Sequence, residues 1–230
     1  MSTPVVLLHP LGADGIFWTP IVERLADVEV RTPDLLGHGS APLSTRGGGV
    51  AELTDAVPWD EPAVVVGLSL GGLVAQDLAA RRPEAVSHLV LVDTVATYPS
   101  EFVTMWRQRA SVARRDGLSS LVDATMNLWF SDDADPITVD RARRTFRATD
   151  PEGYARTCDL LAEIDLTRWT SSLDVPTTVV VGRDDAPPFV AAAHSFAAQI
   201  RGAELVMLKG RHAVAVERPD DFAALVRDLR

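Results

Sequence analysis

Four short runs constrain this chain more than anything else in it: "PVVLLH" (4–9), "AVVVGLS" (63–69), "HLVLVDT" (88–94) and "TTVVVG" (177–182). Each is strand-length and apolar at nearly every position rather than at alternate ones. A strand with one wet face alternates, whereas a strand covered on both faces is apolar throughout. Parallel sheets meet that condition, because their crossover helices lie on both sides. Helical patterns separate the runs, at "WTPIVERLAD" (18–27), "GGLVAQDLAARRP" (71–83), around 188–200, and from Pro219 onward. "VEVRTPD" (28–34) predicts a strand cut short by Pro33, and "ELVMLKG" (204–210) predicts the last strand. Strand and helix in alternation predict an α/β, doubly wound, mostly parallel sheet of about six strands.

The rhythm breaks between 97 and 170. That interval has no strand pattern but carries Trp106, Trp129, Phe130, Phe146, Tyr154 and Trp169, and it reads as helices inserted between two sheet strands. The expected organisation is a core of residues 1–96 and 171–230 with a helical cap at 97–170. "RGGGV" (46–50) reads as a loop. The 230 residues give room for one core domain and a modest insertion. A net charge of −10 argues against nucleic acid or an anionic membrane as partner, since phosphate surfaces select basic patches. The single cysteine, Cys158, allows no internal disulfide and reads as a small buried residue. The N-terminus has no basic region and only a four-residue apolar run, so neither a signal peptide nor a membrane span is expected, and a cytoplasmic location is.

The chemistry points to one turn. Gly67-Leu68-Ser69-Leu70-Gly71 fits G-x-S-x-G between a predicted strand and a predicted helix, the setting of a nucleophile elbow. The serine there needs a strained backbone, and the tight turn wants glycine on either side. A serine hydroxyl needs a base, and the base needs a third group to orient it. Two histidines lie downstream. His194 falls inside a helix, while His212 follows the last strand on a loop able to reach the elbow, so His212 is the expected base. For the acid, Asp184 and Asp185 both follow the strand "TTVVVG". Asp185, three residues beyond Gly182, is preferred, and Asp93 at the end of "LVLVD" is a third candidate that reads more simply as a strand-end cap. Oxyanion donors are expected from the amides of Leu70 and Leu11, since Pro10 has no N–H. His9 and Asp34 read as loop organisers.

With those residues in place, "HPLGADGIFW", "PDLLGHGSA", "GLSLGG", "VVVGRDDAPP" and "GRHAVAVERPDDF" resemble the block order of the α/β-hydrolase superfamily across nearly the whole chain. The inserted segment resembles the cap of 3-oxoadipate enol-lactonases: Trp106–Arg107, Trp129–Phe130 and the run Asp150 to Tyr154 match that family's pattern. The resemblance implies a hydrolase with no cofactor or metal, a triad of Ser69, Asp185 and His212, and a small-molecule ester or lactone substrate, specifically an enol-lactone with a free carboxylate. Trp129 and Phe130 are the expected pocket lining. Arg107, with Arg109 beside it, is the expected carboxylate contact. The family usually has an antiparallel hairpin before the first strand; with "PVVLLH" at 4–9, those two edge strands are not expected here. Competing readings on the same fold are a general carboxylesterase, a C–C hydrolase, and a ligand-binding protein without turnover.

Overall fold

The computed structural model describes residues 3–59 and 61–230. Among them six strands form one sheet: β1 (Val5–Leu8), β2 (Val30–Arg31), β3 (Ala63–Leu68), β4 (Val86–Val92), β5 (Thr177–Gly182) and β6 (Glu204–Leu208). Their order is β2-β1-β3-β4-β5-β6, and every neighbouring pair is parallel. The strands read as continuously apolar are the inner ones, and β1, β3 and β5 are buried at every position. The edge strands β2 and β6 are only partly covered.

Helices cover both faces. In the first half of the chain they are α1 (Thr19–Arg24), α2 (Val50–Asp55) and α3 (Leu70–Arg81). Between β4 and β5 come α4 (Ser100–Asp116), α5 (Val122–Trp129), α6 (Pro136–Ala148), α7 (Pro151–Leu161) and α8 (Thr167–Thr170). The chain closes with α9 (Pro187–Gln199), α10 (Val214–Glu217) and α11 (Pro219–Asp228). The central helix, α3, is buried from Leu70 through Ala79 and packs on β1, β3 and β4. No helix among the described residues is long and apolar enough to cross a membrane.

Several elements differ from expectation for local reasons. The helix expected at 18–27 starts as a 3-10 turn (Gly15–Trp18) and is helical only to Arg24. The strand expected at 28–34 pairs only over Val30–Arg31, because Pro33 has no N–H to give and Asp34 turns into the loop, accepting from Gly15 N–H at 2.8 Å and Ser40 N–H at 2.8 Å. The helix expected at 71–83 begins one residue earlier, directly on the serine, and stops before Pro83.

The five helices between β4 and β5 form a layer whose two ends are tied together at the sheet. Leu166 N–H donates to Ala96 O at 2.9 Å, and Thr97 and Asp165 form an antiparallel bridge. Within the layer the Asp–Pro pairs set the helix starts. Asp135 and Asp150 cap α6 and α7, each with proline at the first helical position. Gly153 then brings α7 onto the core: a Cβ there would lie 2.2 Å from Gly37 O, so only hydrogen fits.

Candidate active site

The order of the sheet reverses between β1 and β3, so the loops leaving those two strands diverge and open a crevice above their C-terminal ends. Ser69 stands there, between β3 and α3, with φ 53° and ψ −109°. That left-handed conformation is rare for a residue with a side chain and costs about 1–3 kcal/mol. The surroundings hold it. Ser69 N–H donates to Val92 O at 2.9 Å, and Ser69 O accepts from Thr94 Oγ1 at 2.8 Å and from Gly72 N–H at 3.0 Å. The glycines are steric necessities. A Cβ on Gly67 would meet Gly71 O at 2.2 Å, one on Gly71 would meet Leu8 O at 2.1 Å, and one on Gly72 would meet the Thr94 side chain at 2.6 Å.

His212 lies on the loop after β6, and its Nδ1 bonds to Asp185 Oδ2 at 2.9 Å. His212 is 3% exposed, with the Phe189 ring centred 4.3 Å from its imidazole. Asp185 comes from the loop after β5, its other oxygen accepting from Ala186 N–H at 2.7 Å. With Nδ1 engaged, Nε2 is the nitrogen left to exchange a proton with a hydroxyl. Ser69 and His212 line one cavity of about 140 Å³, together with Leu11, Trp106, Arg109 and Trp129. Among the described residues the N–H groups of Leu11 and Leu70 donate to no protein acceptor. Leu70 opens α3, where free N–H groups and the helix dipole favour negative charge. The Tyr98 hydroxyl lies against Ser69, and burial holds that phenol above its ordinary value, so it stays protonated.

A profile of the alpha/beta hydrolase family matches residues 5–225. The chain belongs to the alpha/beta hydrolase family. The 3-oxoadipate enol-lactonase 1 of Acinetobacter baylyi is 28% identical over 95% of this chain and 85% of its own length. The pimeloyl-acyl-carrier-protein methyl ester esterase of Aromatoleum aromaticum is 32% identical over 100% of this chain and 99% of its own. Among solved structures, the enol-lactonase from Burkholderia xenovorans LB400 superposes with a TM-score of 0.89 at 31% identity, covering 100% of this chain and 92% of that one.

Not every expected residue of this hydrolase reaches the cavity. Arg107 does not: it is exposed on α4 and lines a separate outer groove of about 850 Å³ near the 46–49 loop and α7. Arg109 does. Its Nε donates to Tyr154 Oη at 2.7 Å and its Nη2 to Thr125 Oγ1 at 2.7 Å, and no carboxylate among the described residues pairs with it. The packing of α4 separates the two. Trp106, Ala110 and Ala113 form the buried stripe of α4, Arg109 lies on it, and Arg107 lies off it. Phe130 is buried but stands behind Trp129, edge-on at 6.4 Å, and faces a different hollow beside Met126. Asp184 is exposed, with its N–H on Gly210 O at 3.0 Å, and His194 is exposed on α9.

The other polar residues hold loops. His9 Nδ1 donates to Pro10 O at 2.9 Å, and its Nε2 accepts from Leu35 N–H at 2.9 Å. Both nitrogens are engaged, and burial lowers this imidazole to about 4. His38, its ring centred 5.2 Å away, is lowered to about 3 by burial. Burial works to raise Asp34, but its hydrogen bonds to Ser40 and Gly15 outweigh it and leave the carboxyl below the usual range. Burial pushes the Cys158 thiol up to about 12, leaving it protonated and inert. No local sequence pattern marks Glu217. Its carboxylate accepts from Arg211 N–H at 2.8 Å and Ser131 N–H at 3.0 Å, bracing the loop of His212 against the helical layer.

Proposed function

We propose that this hydrolase cleaves a small carboxylic ester or lactone that bears its own carboxylate, an enol-lactone of the 3-oxoadipate kind, through an acyl-enzyme on Ser69. The observation that carries the substrate is Arg109. A guanidinium that has no carboxylate counterion among the described residues faces a mainly apolar cavity that Ser69 also lines, and a substrate carboxylate is the partner that such a fork suits. The indole N–H of Trp106, in the same wall and without a partner among the described residues, offers a further donor. The small cavity favours a compact molecule over a long acyl chain.

In this reading His212 Nε2 takes the Ser69 proton as Oγ attacks the carbonyl. The oxyanion falls to the amides of Leu11 and Leu70. Collapse breaks the acyl–oxygen bond, and His212 returns the proton to the leaving oxygen, which in a lactone stays tethered to the acyl group. Water, deprotonated by His212, then releases the acid and restores Ser69. Asp185 fixes the imidazole tautomer and stabilises the imidazolium throughout.

The test compares 3-oxoadipate enol-lactone with a neutral ester, p-nitrophenyl acetate. Arg109→Met is expected to lower kcat/KM on the lactone by about 10²-fold, the worth of a hydrogen-bonded charge pair, while leaving the neutral ester little changed. An equal loss on both substrates sinks the carboxylate assignment and leaves a general small carboxylesterase, the reading that the methyl ester esterase relative favours.

A further inference from the structure

Behind the imidazole and its carboxylate stands a second buried carboxyl that the proposed mechanism does not use. Asp93 follows β4, is 1% exposed, and holds φ 43°. Its Oδ1 accepts from Gly182 N–H at 2.8 Å, which ties the end of β4 to the end of β5. Among the described residues its Oδ2 has no hydrogen-bond partner. The carboxyl lies in contact with that of Asp185, and Val214 N–H approaches it from the loop of His212.

Two carboxylates touching inside a protein do not both ionise, and the pair keeps one proton. Counting donors locates it. Asp185 receives two, from His212 Nδ1 and Ala186 N–H. Asp93 receives one, from Gly182 N–H, with Val214 N–H approaching outside hydrogen-bond geometry, and among the described residues its Oδ2 is left without a partner. A proton on that oxygen turns a repulsive contact into a hydrogen bond.

We propose that Asp93 is a positioning residue: it carries the proton of the pair on Oδ2 and donates it to Asp185, so that a single, fixed negative charge faces His212. Burial, and then the charge of Asp185, push the Asp93 carboxyl well above the usual range, in the direction this arrangement needs. The titratable groups facing the pair are His212 from the β6 loop and Tyr98 from the entry to the helical layer. Among the described residues neither carboxyl has an arginine or lysine partner. The role in turnover rests on the proposed Ser69–His212–Asp185 reading, but the proton itself does not.

Two measurements on the full chain test it. The first is infrared spectroscopy near neutral pH. A carboxylic-acid carbonyl band is expected in the wild type and missing in Asp93→Asn, and no such band in the wild type overturns the proposal. This arm needs no turnover, so a failure of the Ser69 chemistry would show separately, as an intact band beside an unreactive serine. The second follows the rate of Ser69 labelling by a fluorophosphonate against pH. Asparagine keeps the acceptor for Gly182 and the donor for Asp185 without charge, so D93N should hold the wild-type acid limb. Were Asp93 ionised, removing its charge would move that limb down by about one pH unit or more, which overturns the proposal. Asp93→Ala removes the donor and concentrates the charge of Asp185, so His212 should keep its proton to higher pH and labelling should slow by roughly tenfold. An unmoved limb in a folded D93A protein would make Asp93 a strand cap only. If D93A does not fold, the band and the D93N profile decide.

Discussion

At Ser69 the backbone conformation and the chemistry are in tension. A φ of 53° suits glycine better than serine, so the hydroxyl is held where it is at a cost in stability. Ser69→Gly should therefore raise the unfolding free energy by about 1–2 kcal/mol in urea denaturation while abolishing fluorophosphonate labelling and lowering turnover by about 10⁵-fold or more. A destabilised S69G protein would show that the turn is not strained. The glycines of the motif were legible in the sequence, but one of the reasons was not. Gly71 is required by the approach of Leu8 O from β1, a contact between residues 63 positions apart that no local pattern displays. The same limit explains Arg107. Two positions along a helix is about 200° of rotation, so Arg107 and Arg109 face nearly opposite ways, and only the packing of α4 selects the inward one.

At the scale of elements, the groups assigned to catalysis come from loops, and the loops are held by one another. The turn at 210–213 carries His212 and is fastened to the end of α5: Ala213 N–H donates to Trp129 O at 2.9 Å, Arg211 Nη1 donates to Asn127 O at 2.6 Å, and Glu217 bridges Arg211 and Ser131. Glu217→Ala strands two N–H donors that had a charged acceptor. The expected loss is about 2–4 kcal/mol of stability, with amide exchange quickening over 129–131 and 210–213 more than in the strands of the sheet. Exchange that quickens evenly across the molecule would deny Glu217 this local role. Here too the sequence was partly readable. The Asp–Pro pairs announce the starts of α6 and α7 by ordinary capping rules, and Pro33 announces the early end of β2. The bracing by Glu217 was not readable, because both of its partners are set by how the helical layer sits on the core.

Across the whole molecule, the buried pair His9 and His38 links stability to pH. Burial lowers them to about 4 and about 3, whereas the unfolded chain takes up protons near the ordinary value of about 6.5. Their contribution is thus complete above about pH 6.5 and is lost as pH falls from there toward the folded-state values. Urea midpoints should drop for the wild type between about pH 6.5 and about pH 4.5, and less steeply for His38→Asn; equal slopes would remove these imidazoles as the cause. What the sequence determined by itself was everything carried by near neighbours: strands apolar throughout, hence a parallel sheet with covered faces; a serine among glycines at a strand end, hence an elbow; a histidine past the last strand. What only the tertiary structure decided was which distant groups share a space. Arg109 rather than Arg107 beside Ser69 follows from the packing of α4, while Asp185 rather than Asp184 on His212 and the contact of Asp93 with Asp185 follow from parallel strands aligning their C-terminal ends. That alignment brings together loops far apart in the chain, and no periodicity or local propensity encodes which side chains then meet.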